Sequence, residues 1–204
     1  ITNDTTLMIN GASEAFAEID VYLDAAYLGS TAADGSGSWT YDHRATVLAD
    51  SDYTLSATAT DLAGNLSAES TGFAITVDST QPSAPVVLAI TDDSGTVGDG
   101  ITSDNTLMIN GTGDAGLSVE VFLNAVSIGT AAIDGVGNWT LDHTGTVLAD
   151  GNYTITAITS DIAGNVSVPS PGFALTLDTG VPAVPSNLGI SSDTGVAGDG
   201  MTTD

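Results

Sequence analysis

The chain contains no cysteine, and its one basic residue, Arg44, stands against 26 acidic side chains. Without cysteine, neither disulfides nor thiolate metal sites contribute to the fold. With a formal net charge of -25, the surface field repels phosphate backbones and anionic headgroups, so nucleic acid and anionic membrane are excluded as partners. Signal-like segments and apolar runs of the ~20 residues needed to cross a bilayer are also missing, and direct membrane insertion is not expected. The only histidines, His43 and His143, sit in matching Asp-His pairs. With no nucleophile motif beside them, and no glycine loop leading into a helix to cradle phosphate, the sequence does not read as an enzyme.

What is present repeats with a period of 100 residues. ITNDTTLMING at Ile1 returns as ITSDNTLMING at Ile101, WTYDH at Trp39 as WTLDH at Trp139, TVLAD at Thr46 as TVLAD at Thr146, and DLAGN at Asp61 as DIAGN at Asp161. A further copy begins where TDDSGTVGDGIT from Thr91 is echoed by SSDTGVAGDGMT from Ser191. Self-similarity at a fixed period marks an array.

Hydrophobic residues make up 42 % of the chain, too many for a disordered acidic tail, and they alternate in short runs of Val, Ile, Leu, Tyr and Thr between clusters of Gly, Asn, Asp and Ser. In the complete copy this pattern predicts strands over 86–90, 106–110, 119–123, 127–131, 139–142, 153–160 and 167–177. The third and fourth form a hairpin about Asn124-Ala125. Seven antiparallel strands in one repeat predict an all-β chain of tandem immunoglobulin-like sandwiches. Tyr53 and Tyr153, each just after a turn, fit the tyrosine corner of such folds, and Trp39 and Trp139 fit the core. Pro169 and Pro171 fit an edge or bulge early in the seventh strand.

The proline-bearing stretches VDSTQPSAP from Val77 and LDTGVPAVP from Leu177 read as stiff linkers. Three units follow. Residues 1–80 form a repeat without its first strand, 81–180 a complete repeat, and 181–204 the first strand and acidic loop of a third. Because an open sheet edge invites an added strand, head-to-tail strand exchange between molecules is also expected.

Clustered carboxylates oppose compaction: two of them about 4 Å apart repel by ~1 kcal/mol in water and ~4 kcal/mol at an effective dielectric of 20. High salt would neutralise them by screening, and divalent cations by direct ligation, for which hard Ca²⁺ prefers carboxylate and carbonyl oxygens. The richest candidate site is the loop 92–104, with Asp92, Asp93, Asp99 and Asp104 among Ser94, Gly95, Gly98 and Gly100; its spacing is not that of an EF-hand. A second is the DxAGN turn, Asp61 to Asn65 and Asp161 to Asn165. It is predicted at the pole where the linker enters, so Asp78, Asp114, Asp161 and Asn165 would gather at the junction. The competing reading of that turn is an Asp that caps its own backbone without metal.

The motifs NTLMINGT, VEVFLNAVSIGT, DGVGNWT, LADGNYTITAITSDIAGNVS and LDTGVPAVP together resemble the bacterial immunoglobulin-like extender repeats of giant RTX-type adhesins, which project a binding tip from the surface of Gram-negative bacteria. The resemblance implies an extracellular stalk whose repeats contact their chain neighbours, with Ca²⁺ at domain junctions and in acidic loops. Its implied ligands are Asp61, Asn65, Asp161 and Asn165 in the DxAGN turns, and Asp78 and Asp178 in the linkers. In the loops they are Asp93, Asp99 and Asp104, with Asp193, Asp199 and Asp204 in the partial copy. Glu14 occupies a position usually glutamate in that family, where the second copy has the shorter Asp114. A calcium-dependent carbohydrate- or surface-binding module is the rival reading. It calls for an insertion or an aromatic patch unique to one copy, and the sequence shows neither.

Overall fold

The computed structural model describes residues 1–186 and contains fourteen strands and no α-helix among them. The first copy holds β1 (Met8–Ala12), β2 (Glu18–Leu23), β3 (Ala26–Ala32), β4 (Ser38–Asp42), β5 (Ser51–Thr60) and β6 (Phe73–Val77). In the second lie β7 (Val86–Ile90), β8 (Ile101–Thr102), β9 (Leu107–Thr112), β10 (Ser118–Leu123), β11 (Val126–Ala132), β12 (Asn138–His143), β13 (Gly151–Ser160) and β14 (Phe173–Leu177). Alternation decides which residues face inward. Along β13, Ile155, Ala157 and Thr159 are buried while the residues between them are not, the period-2 signature of a sheet with one covered face.

Each copy is a two-sheet sandwich. In the second, a three-stranded sheet in the order β12-β9-β7 faces a five-stranded sheet in the order β11-β10-β13-β14-β8. Trp139, Leu107, Ile109, Val119, Val121, Ile155 and Leu175 fill the space between them in one continuous core. Trp139 also donates its indole N–H to the Thr112 carbonyl at 3.1 Å, so the ring is buried without leaving a polar atom unpaired. The β10–β11 connection is the expected two-residue turn: Asn124 and Ala125 both have positive φ, 49° and 65°, as a type I′ turn requires. Asn124 Oδ1 then accepts from the Thr154 amide at 2.8 Å, and Asp24 does the same for Thr54. Tyr153 donates its hydroxyl to the Ala149 carbonyl at 2.8 Å and Tyr53 to Ala49 at 2.9 Å, which closes the corner expected of both.

Three elements differ from the sequence reading. The second strand runs on through Gly111 and Thr112, because Gly111 lies where a Cβ would collide with the Val86 carbonyl and the Trp139 ring; it is a close-packing glycine and not a turn. The loop 92–104 contains β8, a short strand parallel to β14. The seventh strand is only Phe173–Leu177. Ahead of it, Ser167 and Ser170 donate their amides to Thr159 and Ala157. Their hydroxyl oxygens accept the Thr159 and Ala157 amides at 3.0 Å. Side-chain oxygens thus replace ladder carbonyls beside Pro169 and Pro171, and no regular strand forms.

The first copy lays out the same strands in two sheets, β1-β4 and β3-β2-β5-β6. No described residue takes the place that β7 holds in the second copy, and the core divides into two smaller clusters.

Candidate functional site: the interdomain junction and the acidic loop

The linker leaves β6 with Asp78, whose amide donates to the Thr2 carbonyl at 2.9 Å. Its root is then tied back to the first copy. Asp50 Oδ1 accepts the Ser79 amide and hydroxyl at 2.8 and 2.6 Å, and Asp50 Oδ2 accepts the Thr80 hydroxyl at 2.6 Å. These bonds, the Ser79 hydroxyl first, hold the Asp50 carboxyl below its ordinary range. Asp150 repeats the arrangement with the amide and hydroxyl of Thr179, at 3.0 and 2.8 Å. Sequence reasoning passed over both aspartates. The signal was the conserved spacing between each TVLAD motif and the hydroxyl residue after Asp78 or Asp178.

The far side of the linker is fastened to the second copy by three bonds. Asn165 donates its side-chain amide to the Asp78 carbonyl at 2.7 Å, Ser83 donates its amide to Asp114 Oδ2 at 2.8 Å, and Thr159 donates its hydroxyl to the Ser83 carbonyl at 2.9 Å. Asn165 and Thr159 are buried there, at 8 % and 0 % exposure. The two copies also meet directly, since a Cβ on Gly164 would lie 3.5 Å from the Asn3 amide nitrogen.

Asn165 is bonded to the Asp78 carbonyl and to Asp161, and Asp114 to the Ser83 amide, so all four residues border the linker, without three of their carboxylates gathering as a metal-holding group among the described residues. Their contacts there are hydrogen bonds. Asp161 Oδ1 accepts the Ala163 and Asn165 amides at 2.9 and 2.8 Å, and Oδ2 accepts the Asn165 side chain at 2.9 Å. The side-chain bond from Asn165 is the main reason its carboxyl sits below the usual range, and Asp61 is lowered in the same way by Asn65. Glu14 is exposed at the outer pole of the first copy, and Asp178 Oδ1 accepts the Gly180 amide at 2.9 Å.

In the acidic loop, Asp92, Gly95, Gly98 and Gly100 all have positive φ, so the backbone curls back on itself. Gly100 passes so close to β14 that a Cβ would stand 2.5 Å from the Ala174 carbonyl. Thr102, almost fully buried, donates to the Asp92 carbonyl at 2.9 Å and accepts the Asp104 amide at 2.9 Å. Asp99 accepts the Ile101 amide, and Asp104 accepts the amide and hydroxyl of Thr106. Asp93 Oδ2 accepts the Gly98 amide at 2.7 Å. Its partner oxygen, Asp93 Oδ1, is the single buried side-chain oxygen or nitrogen among the described residues that has no hydrogen-bond partner. A carboxylate oxygen shut away from water without a donor is costly, and a hard cation is the partner its chemistry calls for. Among the described residues no group of three or more Asp, Glu, His or Cys side chains is arranged to hold a metal. Asp193, Asp199 and Asp204 lie outside the described residues.

One feature departs from the sequence reading of two equivalent copies. Tyr22 and Tyr27 face each other across the β2–β3 hairpin, ring centroids 5.8 Å apart and edge to face, where the second copy has Phe122 and Ser127. Their five-residue separation hides the pair, because the hairpin register and not strand alternation opposes them.

The family model described as a bacterial Ig-like domain matches the chain twice, over residues 1–79 and 80–179. Exoglucanase B of Cellulomonas fimi is 34% identical over 149 residues, 67% of this chain, and the match spans 13% of that enzyme's length. Among solved structures, the fibronectin(III)-like modules of Clostridium thermocellum CbhA share the fold with a TM-score of 0.51 at 18% identity, covering 83% of this chain and 85% of theirs. A Ca²⁺-stabilized adhesin that helps an Antarctic bacterium reach out and bind ice is similar at a TM-score of 0.45 and 23% identity, covering 86% of this chain and 44% of that one.

Proposed function

The chain belongs to the bacterial Ig-like domain family, and we propose that it is a non-catalytic extender segment of a surface adhesin of a Gram-negative bacterium, stiffened by Ca²⁺. The observation that carries this reading is the fastening of the linker. Asp50 grips it from one copy while Asn165, Asp114 and Thr159 grip it from the next, so the connection transmits the orientation of one sandwich to its neighbour. Repeats that differ little in sequence and keep one length suit a spacer, each advancing the stalk by roughly 40 Å with strands of ten residues and a linker.

In this reading Ca²⁺ is held first in the acidic loop, by Asp93, and binding would have to draw in Asp92, Asp99 and Asp104, which are not gathered about it beforehand. The orphaned Asp93 oxygen supports that assignment. Bound there, the ion supplies positive charge and oxygen ligation that neighbouring aspartates otherwise lack in a chain of net charge -25. At the junction, Asp78, Asp114, Asp161 and Asn165 would be the ligands, with Asp61, Asn65 and Glu14 their counterparts at the outer pole and Asp178 in the next linker. The domain boundaries of this reading fall near Thr80 and Gly180.

Calcium titration by calorimetry, with X-ray scattering at both endpoints, tests the proposal. Saturating Ca²⁺ is expected to raise the melting temperature and lengthen the particle, and chelation to reverse both; identical melting and length after EGTA would overturn the clamp. Asp93→Ala is expected to remove one equivalent of bound Ca²⁺. The Tyr22–Tyr27 pair, in which Tyr27 is exposed and Tyr22 partly buried, favours a second reading, a calcium-dependent carbohydrate-binding face, and Tyr27→Ser, which copies the second repeat, would abolish glycan retention if that reading held.

A further inference from the structure

The leading segment of the second copy is divided between its two sheets. β7 pairs antiparallel with β9 at the edge of the three-stranded sheet, and the pairing is interrupted by a bulge between Val87 and Ala89. After the acidic loop the chain crosses to the other sheet, where β8 runs parallel to β14. Two backbone bonds make that clasp: the Thr176 amide donates to the Gly100 carbonyl at 2.8 Å and the Asp178 amide to the Thr102 carbonyl at 3.0 Å. It recurs in the first copy, where the Thr2 amide donates to the Thr76 carbonyl and the Asp78 amide to the Thr2 carbonyl, both at 2.9 Å. Between β7 and β8 the loop is stitched to itself and to β9 by side chains. Thr91 Oγ1 accepts the Asn110 side-chain amide at 2.9 Å, and Ser94 Oγ accepts the Ser103 amide at 2.8 Å. With Thr102 bonded to the Asp92 carbonyl and Asp93 to the Gly98 amide, the loop is held gathered, well short of its extended length.

Tension along the chain enters the second copy at the linker before Val86 and leaves it after Leu177. It draws β7 back along its own axis past β9, and it pulls β8 and β14 from opposite ends. Ladder bonds run across the strands, so both pairs are loaded in shear. Their resistance is unequal. β7 has one neighbour and places only Val87 and Ile90 in the core, whereas β14 lies between β13 and β8, and Leu107, Ile109, Trp139 and Leu175 all belong to strands other than β7. We propose that the second copy is a two-stage tension element. β7 and the acidic loop are the length released first, and the parallel β8–β14 pair is the clamp that then keeps the remaining sandwich folded. Residues 86–100 extend to roughly 50 Å, of which β7 already spans about 17 Å, so their release lengthens the chain by roughly 35 Å. A stalk under load would yield by that step and recover by re-pairing one edge strand, with the other strands still in place. The load belongs to the extender reading, on which this use of the device rests; the two stages are a property of the fold.

Pulling on the two ends of the full chain in an optical trap, in EGTA so that no bound cation contributes, tests the proposal. A short reversible step of roughly 35 Å is expected before the second copy unfolds. Ile90→Ala is expected to raise the rate of that step at constant force at least about tenfold, and to leave the later unfolding rate unchanged. Gly100→Ala is expected to do the reverse, because its Cβ would press on the Ala174 carbonyl and part β8 from β14. Val86→Cys with Thr112→Cys joins a facing pair of β7 and β9 in a chain that has no cysteine of its own. Oxidised, that variant is expected to lose the short step, and reduction to restore it. Unfolding of the second copy in a single step, a short step that survives oxidation, or variants that speed both stages alike would overturn the proposal. A short step that persists while Ca²⁺ leaves melting and scattering unaltered would overturn the calcium reading alone and support this one.

Discussion

Ser70 and Ser170 make the same bonds in different surroundings, and the difference sets what each is worth. Each hydroxyl oxygen accepts the amide of Ala57 or Ala157, at 3.1 and 3.0 Å. Ser170 is only 6 % exposed and Ala157 not at all, so Ser170→Ala strands a buried amide. The expected loss is about 1–3 kcal/mol. Ser70→Ala opens onto a groove beside β1, where water can take the donor, and is expected to cost less than half as much. Urea unfolding, followed separately by Trp39 and Trp139 with the other indole replaced, measures both. The aspartates give a second expectation at this scale. Asp34, lowered chiefly by the Ser36 hydroxyl, and Asp134, lowered chiefly by the Asn138 amide, cap their own turns. Asp42 is pulled to about 2 by Arg44. For carboxyls lowered on folding, the stabilising share is complete above the unfolded value of ~3.9 and is lost as pH falls through the folded values. That share is therefore expected to be lost between about pH 4 and pH 2, as a shallow change in melting temperature, because these carboxyls are exposed and screened and protonation also relieves repulsion in a chain of net charge -25. Since Asp42 and Arg44 are both more than half exposed, Asp42→Asn is expected to leave that profile nearly unchanged in physiological salt.

Strands β1 and β9 have nearly the same sequence but unequal numbers of neighbours: β9 is held between β12 and β7, and β1 by β4 alone. Amide exchange is expected to expose the contrast, with β1 exchanging at least about tenfold faster than β9 and the first copy unfolding first. Equal protection in the two strands of the monomer would contradict the open edge. The element pattern was legible in the sequence wherever a strand has one buried face, as in β10, β11 and β13, because alternation and the Asn124-Ala125 turn report burial directly. It was least legible where a side chain does the work of the backbone. Ser167 and Ser170 continue the apolar-polar rhythm of a strand while supplying the acceptors themselves. Gly111 reads as a turn residue until the neighbouring carbonyl and Trp139 are seen above it. The acidic loop was recognisable from its aspartates and glycines. Which oxygen goes unpaired, Asp93 Oδ1, depends on the fold of the whole loop and has no signature in the spacing.

At the scale of the molecule, the proposed stiffness rests on bonds that cross from one copy's linker into the next copy's turn, and the repeat supplies its own control for measuring them. Asn65 and Asn165 close identical turns on Asp61 and Asp161. Asn165 alone also reaches the Asp78 carbonyl, 87 residues away in sequence. Replacing either by alanine removes the turn bond, so a loss common to both variants belongs to the turn. The excess in Asn165→Ala belongs to the junction. That excess is expected to appear as orientational freedom: faster independent tumbling of the two sandwiches in NMR relaxation and a broader distance distribution in X-ray scattering. Asn65→Ala should leave both at the wild-type value. Proline keeps the linker extended in either variant, because Pro82 and Pro85 fix their own φ whatever the turn does. Freedom gained in Asn165→Ala would then reflect the lost anchor and not a melted linker. If both variants tumbled alike, the linker would owe its direction to proline alone, and the bond from Asn165 would be an incidental contact of a turn that caps itself.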